Sequence, residues 1–224
     1  MKIEVLVLTW NRFNETFRLW QSIKPILGDN LRLTFYDNGS IDKTPEWLWN
    51  LSQANPFVNV YLGTRNLGVS GGRNELLKQA DADVIGFLDA DAYVVNQNFP
   101  ALILQALALP DVGIVGQGGH IFNKQLKPVP LAPNQYNIKV DVVSGYSMFW
   151  KRENMPHPQL VETNNGGVED DFFCLDFQKK GLKVWCADLG IKHEWGKTWN
   201  TSNYSESRKK FEIAYLEWKK TKDS

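Results

Sequence analysis

Two clusters of carboxylates and one late histidine stand out in the chain of 224 residues. Asp89-Ala90-Asp91 directly follows the apolar run 84–88. Two carboxylates two residues apart at a strand end can hold a hard divalent cation, which takes oxygen ligands and keeps positions open for phosphate. Such a cation would offset the charge of a departing diphosphate. A solvated acidic turn is the alternative, because short motifs recur by chance. Glu169-Asp170-Asp171 is the second cluster. One of its carboxylates can take the proton of an attacking hydroxyl. Acids drawn to a helix N-terminus by its dipole are the alternative. His193, followed by Glu194 and Trp195, offers an imidazole nitrogen that can complete a cation site; a surface hydrogen bond is the alternative. Asn66-Leu67-Gly68 and Gly71-Gly72-Arg73-Asn74 can bring backbone N–H groups and a guanidinium to a phosphate. The segment has neither the G-x-G-x-x-G spacing of a dinucleotide fingerprint nor the Gly-Lys-Ser/Thr of a P-loop, so a flexible connection is its alternative.

The elements that must position these residues alternate. Residues 3–8, 31–36, 58–62, 84–88 and 112–115 are short apolar runs that read as buried strands. Helices fall between them. Asn14 can cap the first, where Phe17, Trp20, Ile23 and Leu27 recur at helical spacing. Thr44-Pro45 opens the second, and 73–79 and 99–109 form the third and fourth. Strand–helix alternation predicts an α/β fold, a doubly wound and mostly parallel sheet. Ligands of such sheets bind outside the carboxyl ends of the strands. Residues 9–12, 37–42, 66–73 and 89–91 lie there, so one crevice should gather them.

The second half is less regular. Residues 118–123 and 138–143 read as strands around a loop rich in Pro128, Pro130 and Pro133. A flexible stretch at 164–167 precedes a helix over about 170–180, a strand follows at 184–187, and 204–220 is an amphipathic helix with Phe211, Tyr215 and Trp218 on one face. No linker or repeat interrupts the chain. One domain is expected over 1–224, with a ligand-binding half (1–116), a second half (117–200) and a C-terminal helix (201–224).

Charge narrows the function classes. Lys and Arg number 25 and so do Asp and Glu, which gives no net charge to drive nucleic-acid binding. Cys174 and Cys186 form no C-x-x-C pair and read as buried reduced thiols. The first residues are too charged for a signal peptide, and no run reaches the roughly 20 apolar residues of a spanning helix. A cytoplasmic protein is expected, with membrane contact at most peripheral at the inner face. The basic C-terminal segment (Arg208, Lys209, Lys210, Lys219, Lys220, Lys222) could make that contact; a solvated helix face is the alternative.

Over residues 2–195 the chain resembles glycosyltransferase family 2, the inverting family with the GT-A fold. Val7-Leu8-Thr9-Trp10-Asn11-Arg12 is similar to the family's opening strand and turn. Asp37-Asn38-Gly39-Ser40-Ile41-Asp42, Asn66-x-Gly68 with Arg73-Asn74, Asp89-Ala90-Asp91 as a D-x-D motif, Glu169-Asp170 and His193 follow in the family's order. The resemblance implies a GT-A fold with a small antiparallel portion and a C-terminal helix. It implies transfer of a sugar from a UDP-, dTDP- or GDP-linked donor to a hydroxyl of a glycan, a lipid-linked sugar or another acceptor. Thr9, Asn11, Arg12, Asp37, Asn38, Asn66, Gly68, Arg73, Asn74, Asp89, Ala90 and Asp91 would bind the donor. Asp91, His193 and Asp89 would hold Mn2+ or Mg2+. Asp170 would be the base, assisted by Glu169 or Asp171, and Gly145, Tyr146 and Trp195 would face the acceptor. Many members carry a second Asp where Asn38 stands, and often Asp and Arg where Phe172 and Asp176 stand. The Asp37-Asn38 turn and the Glu169-Asp170 helix resemble those of rhamnosyl- and galactofuranosyltransferases of bacterial surface polysaccharides. A sugar-1-phosphate nucleotidyltransferase would need a Gly-rich basic loop after the first strand, which residues 9–12 lack. A non-catalytic binding module would be free to lose Asp89, Asp91, Asp170 and His193, all of which are present.

Overall fold

Strand β1 (Ile3–Thr9) is buried except for Leu8, which is half-buried, as a central strand covered on both faces must be. Its one charge, Glu4, is satisfied there: its carboxylate accepts the Thr34 hydroxyl at 2.6 Å and the Asp81 N–H at 3.2 Å. The structure is a computed structural model that describes residues 1–132, 134–161, 167–194 and 204–222. Trp195 and the 164–166 stretch singled out above lie outside the described residues.

Around β1 lie β2 (Leu31–Asp37), β3 (Val58–Leu62), β4 (Val84–Leu88), β6 (Val112–Gly116), β9 (Ile138–Val140), β11 (Ser147–Lys151) and β12 (Lys183–Cys186). They form one eight-stranded sheet in the order β3-β2-β1-β4-β11-β6-β12-β9. β1, β2, β3 and β4 pair in parallel, as do β6 and β12, whereas β11 runs antiparallel between β4 and β6, and β9 runs antiparallel to β12. Side chains alternate across the strands. Val5, Val7, Leu33 and Phe35 meet helices α1 (Phe13–Ile23), α2 (Thr44–Ala54) and α4 (Phe99–Leu107). Leu6, Ile85, Phe87 and Ile114 meet α3 (Gly68–Gln79) and α5 (Glu169–Lys179) on the other face.

Two small sheets cap the carboxyl edge. β5 (Ala92–Val94) pairs with β13 (Ile191–His193), and β7 (Gly119–Phe122) pairs with β8 (Pro128–Pro130) and β10 (Val142–Val143), all antiparallel. Helix α6 (Tyr204–Lys222) buries Phe211 and Tyr215 against Leu175 of α5. Among the described residues no helix is long and apolar enough to cross a membrane.

Four expectations change in detail. Asn14 lies inside α1 and does not cap it; the Asp42 carboxylate accepts the Phe13 N–H at 3.3 Å instead. The glycines expected in a loop form the first turns of α3, which starts five residues earlier. Asn66 Oδ1 accepts the Gly68 N–H at 2.8 Å and starts the helix. A Cβ at Gly72 would lie 2.4 Å from Leu8, so that glycine serves close helix–strand packing, not flexibility. The run 138–143 divides at Asp141, whose carboxylate accepts the Phe122 N–H (2.6 Å) and the Tyr215 hydroxyl (2.8 Å), so its two halves join different sheets. Part of the proline loop is the edge strand β8, where a missing N–H breaks no ladder.

Candidate active site

The acidic pair stands where β4 stops. The Asp89 N–H donates to the Tyr146 carbonyl at 2.9 Å, which closes the β4–β11 pairing just before the turn into β5. Register then does the rest. β13 places His193 opposite Ala92, and the Glu194 N–H donates to the Asp91 carbonyl at 3.1 Å. His193 Nε2 thereby lies 3.0 Å from one Asp91 oxygen, while Arg12 donates to the other at 3.2 Å. Ligand atoms of Asp89, Asp91 and His193 all lie within 4.8 Å of one another. Two carboxylate oxygens and an imidazole nitrogen at this spacing could hold a divalent metal ion. Burial pushes the Asp91 carboxyl up, but the His193 hydrogen bond and the charges of His193 and Arg12 outweigh it and hold it below the usual range.

Arg73 connects this pair to the second acidic cluster. Its side chain is 3% exposed, lies over the Phe87 ring, and donates to Asp89 (2.8 Å), to the Gly145 carbonyl (2.7 Å) and to Glu169 (3.3 Å). The Gly145 N–H in turn donates to Asp170 at 2.9 Å. A continuous chain of bonds therefore runs Asp89, Arg73, Gly145, Asp170. Burial raises Asp170 well above the usual carboxyl range, and the charges of Asp171 and Glu169 add to it. Burial also raises Glu169, against the opposing charge of Arg73.

The β1, β2 and β3 ends form the neighbouring wall. The Asn11 N–H donates to the Ser40 hydroxyl, and Asn11 Oδ1 accepts the Ile41 N–H, both at 2.8 Å. Asp37 accepts the Ser40 N–H at 2.9 Å. Asn38 is 2% exposed and fully engaged: its amide donates to Asn66 Oδ1 (2.9 Å) and the Gly68 carbonyl (3.1 Å), and its oxygen accepts the Leu67 N–H (2.9 Å). An Asp at this position could not donate. Asn38→Asp should lower stability by about 1–3 kcal/mol in urea unfolding; an unchanged midpoint would show that the loop re-forms around a carboxylate.

Some expected residues are turned elsewhere. The Thr9 hydroxyl is bonded to Thr16 at 2.7 Å, and Thr9 meets the wall through its carbonyl, which accepts the Asn38 N–H at 2.8 Å. Asn74 bonds both backbone groups of Leu160, at 2.6 and 3.2 Å. Asp171 faces α6 and β7, where Arg208 donates to it at 3.0 Å. Gly145 has both backbone groups engaged, as given above. The Tyr146 ring stacks on His193 with centroids 4.4 Å apart and planes 2° from parallel. Gln117 escaped the sequence reading. It is buried and bonds the Leu189 N–H (2.9 Å) and both backbone groups of Ile191 (3.0 and 2.6 Å), which fixes the strand that carries His193. Its only signal was a polar side chain at the end of an apolar strand.

A mixed α/β sheet of this order, with acids gathered at its carboxyl edge, is the GT-A fold of glycosyltransferases. The likeness to solved structures agrees. The mannosyltransferase PcManGT from Pyrobaculum calidifontis, solved with GDP-Man and Mn2+, superposes with TM-score 0.72 at 17% identity over 100% of this chain and 65% of its own. S. aureus TarS 1-349 in complex with UDP-GlcNAc gives 0.72 at 17% identity over 95% of this chain and 66% of its own. Residues 4–171 match the family described as Glycosyl transferase family 2. The chain belongs to that family. An uncharacterized glycosyltransferase of Haemophilus influenzae is 34% identical over 67 residues, which are 30% of this chain and 27% of that protein. The chain thus spans just under two thirds of the two solved proteins and about a quarter of the curated relative.

Proposed function

We propose that this protein transfers a sugar from a nucleotide-diphosphate-sugar to an acceptor hydroxyl with inversion at the anomeric carbon. The observation that carries this reading is the bonded chain Asp89, Arg73, Gly145, Asp170. It brings an acidic cluster and a half-buried carboxylate of raised pKa to one sheet edge. Asp89, Asp91 and His193 would hold Mn2+ or Mg2+, and the cation would offset charge on the leaving diphosphate. Family membership and the nucleotide-sugars of the two solved proteins support this class of donor.

In this scheme Asn11, Asp37, Asn38, Asn66 and Gly68 shape the wall against the nucleoside, with Thr9 acting through its carbonyl. Arg12 and Arg73 bring positive charge to the donor side. Asp170 removes the proton of the incoming hydroxyl, which is the role its raised pKa suits. The Gly145 N–H donates to this carboxylate while the Gly145 carbonyl accepts from Arg73. Glu169 balances Arg73 and keeps it in place. Asp171 and Asn74 act at one remove, through α6 and the segment at Leu160.

A thermal-shift panel of UDP, GDP, dTDP, UDP-GlcNAc, GDP-mannose and dTDP-rhamnose, each with and without Mn2+, tests the reading. One nucleotide is expected to raise Tm, and more so with Mn2+, because a ligand of the folded state stabilises it by mass action. Asp91→Ala should abolish the Mn2+ increment and leave most of the metal-free shift. Folded protein that responds to no nucleotide would overturn the proposal.

A further inference from the structure

The first turn of α5 starts from an unusual backbone conformation. It opens from Val168 at φ 62°, a left-handed conformation that a β-branched residue rarely adopts, and no Val168 side-chain group caps it. Three consecutive acids, Glu169, Asp170 and Asp171, then crowd the turn, and like charges so close repel. Each acid is held by a different element. Arg73 of α3 bonds Glu169 at 3.3 Å, the Gly145 N–H before β11 bonds Asp170 at 2.9 Å, and Arg208 of α6 bonds Asp171 at 3.0 Å.

Arg208 is fixed as firmly as Arg73. It is 8% exposed, its second nitrogen donates to the Leu126 carbonyl at 2.9 Å, and its guanidinium lies over Phe122 (4.7 Å) and Phe211 (5.2 Å). The helix that carries it is anchored on both sides. Tyr215 donates its hydroxyl to Asp141 at 2.8 Å, and Phe211 meets the Phe172 ring edge-on at 5.4 Å. His120 Nε2 lies 3.0 Å from the other Asp171 oxygen. The family match ends at residue 171, so α6 lies wholly beyond it.

We propose that Arg208 is a positioning residue for the transfer reaction: α6 uses it to pin Asp171, and with it the first turn of α5, so that Asp170 stays seated against Gly145. This rests on the reading of Asp170 as the base. Asp170 is in the same turn as Asp171, so a shift of that turn moves its carboxylate directly. A misplacement of about 1 Å can cost on the order of 100-fold in rate. Among the described residues Arg208 bonds Asp171 and Leu126 and lies over Phe122 and Phe211, none of which belongs to the donor wall built from the β1, β2 and β3 ends.

The experiment measures kcat and KM for Mn2+-dependent hydrolysis of whichever of UDP-GlcNAc, GDP-mannose and dTDP-rhamnose is turned over fastest. Arg208→Met should lower kcat about 10- to 100-fold with donor KM and the nucleotide thermal shift unchanged. Asp171→Ala should cost the same, and the double variant no more, since two residues that act as one unit are not additive. Arg208→Lys should recover part of the loss, and it carries the test if the Met variant fails to fold. Wild-type kcat in Arg208→Met, or parallel losses in kcat and KM, would overturn the proposal. So would additive losses in the double variant. Asp170→Asn is run beside them: if it is inactive while Arg208→Met is normal, only the positioning role falls; if it is active, the base assignment falls first.

Discussion

Asp170→Asn is expected to reduce turnover by about 100- to 10,000-fold, the usual worth of a positioned general base. Asn keeps the volume of Asp and can still accept the Gly145 N–H, now 2.9 Å from Asp170 Oδ2. It also removes a charge that Asp171 and Glu169 oppose, so the fold should be retained or strengthened. Donor affinity and the Mn2+ increment in the thermal shift should persist, because Asp170 is not one of the three clustered candidate ligands. The pH profile gives a second check. A base role requires Asp170 ionised, and its pKa is raised by burial first and by Asp171 and Glu169 next. Activity should therefore fall as pH drops through a point above the ordinary carboxyl range, not within it. An Asn variant with substantial turnover, or an acid limb at the ordinary carboxyl value, would remove Asp170 from this role.

Arg73→Met should lower stability by about 3–5 kcal/mol, the cost of breaking a buried ion pair by removing one partner. Met fills much of the same volume, so the loss is electrostatic more than steric. Without the guanidinium, Asp89, Glu169 and the Gly145 carbonyl lose donors at 2.8, 3.3 and 2.7 Å. The dependence on pH follows from Glu169. Its folded-state pKa is already raised by burial, although Arg73 opposes the rise. Between the unfolded and folded values the folded state binds the extra proton, so stability falls as pH rises. Removing Arg73 lifts the folded value further and widens that window. Urea unfolding should show the largest deficit at neutral and alkaline pH and a partial recovery in mild acid. A deficit below about 1 kcal/mol, the range of exposed pairs, would mean that Arg73 is not the electrostatic centre of this site.

Much of the scaffold was legible because its information is local. Burial imposes a period on each element, so the expected strands at 58–62 and 84–88 coincide with β3 and β4. Polar residues at the ends of those runs marked the crevice, since the carboxyl edge of a parallel sheet is where the chain meets solvent and ligand. Asp89, Asp91 and His193 could be nominated by type, and the family by the order of its motifs. Local rules failed where a distant contact won. Gly68 to Gly72 read as a loop by propensity, yet belong to α3: Asn66 accepts the Gly68 N–H, Asn38 donates to the Gly68 carbonyl, and Gly72 packs closely on Leu8.

The layered α/β plan and the residues able to do chemistry were written in the chain, because periodicity and residue type are properties of short segments. How those residues divide their labour follows from long-range packing. The Asp91–His193 contact joins positions 102 apart, and it exists because β13 pairs with β5 in one register. Asp170 and Asp171 are adjacent and chemically alike, yet one meets Gly145 and the other Arg208. A helix turns by about 100° per residue, so neighbours face different partners, and the partners are set by packing.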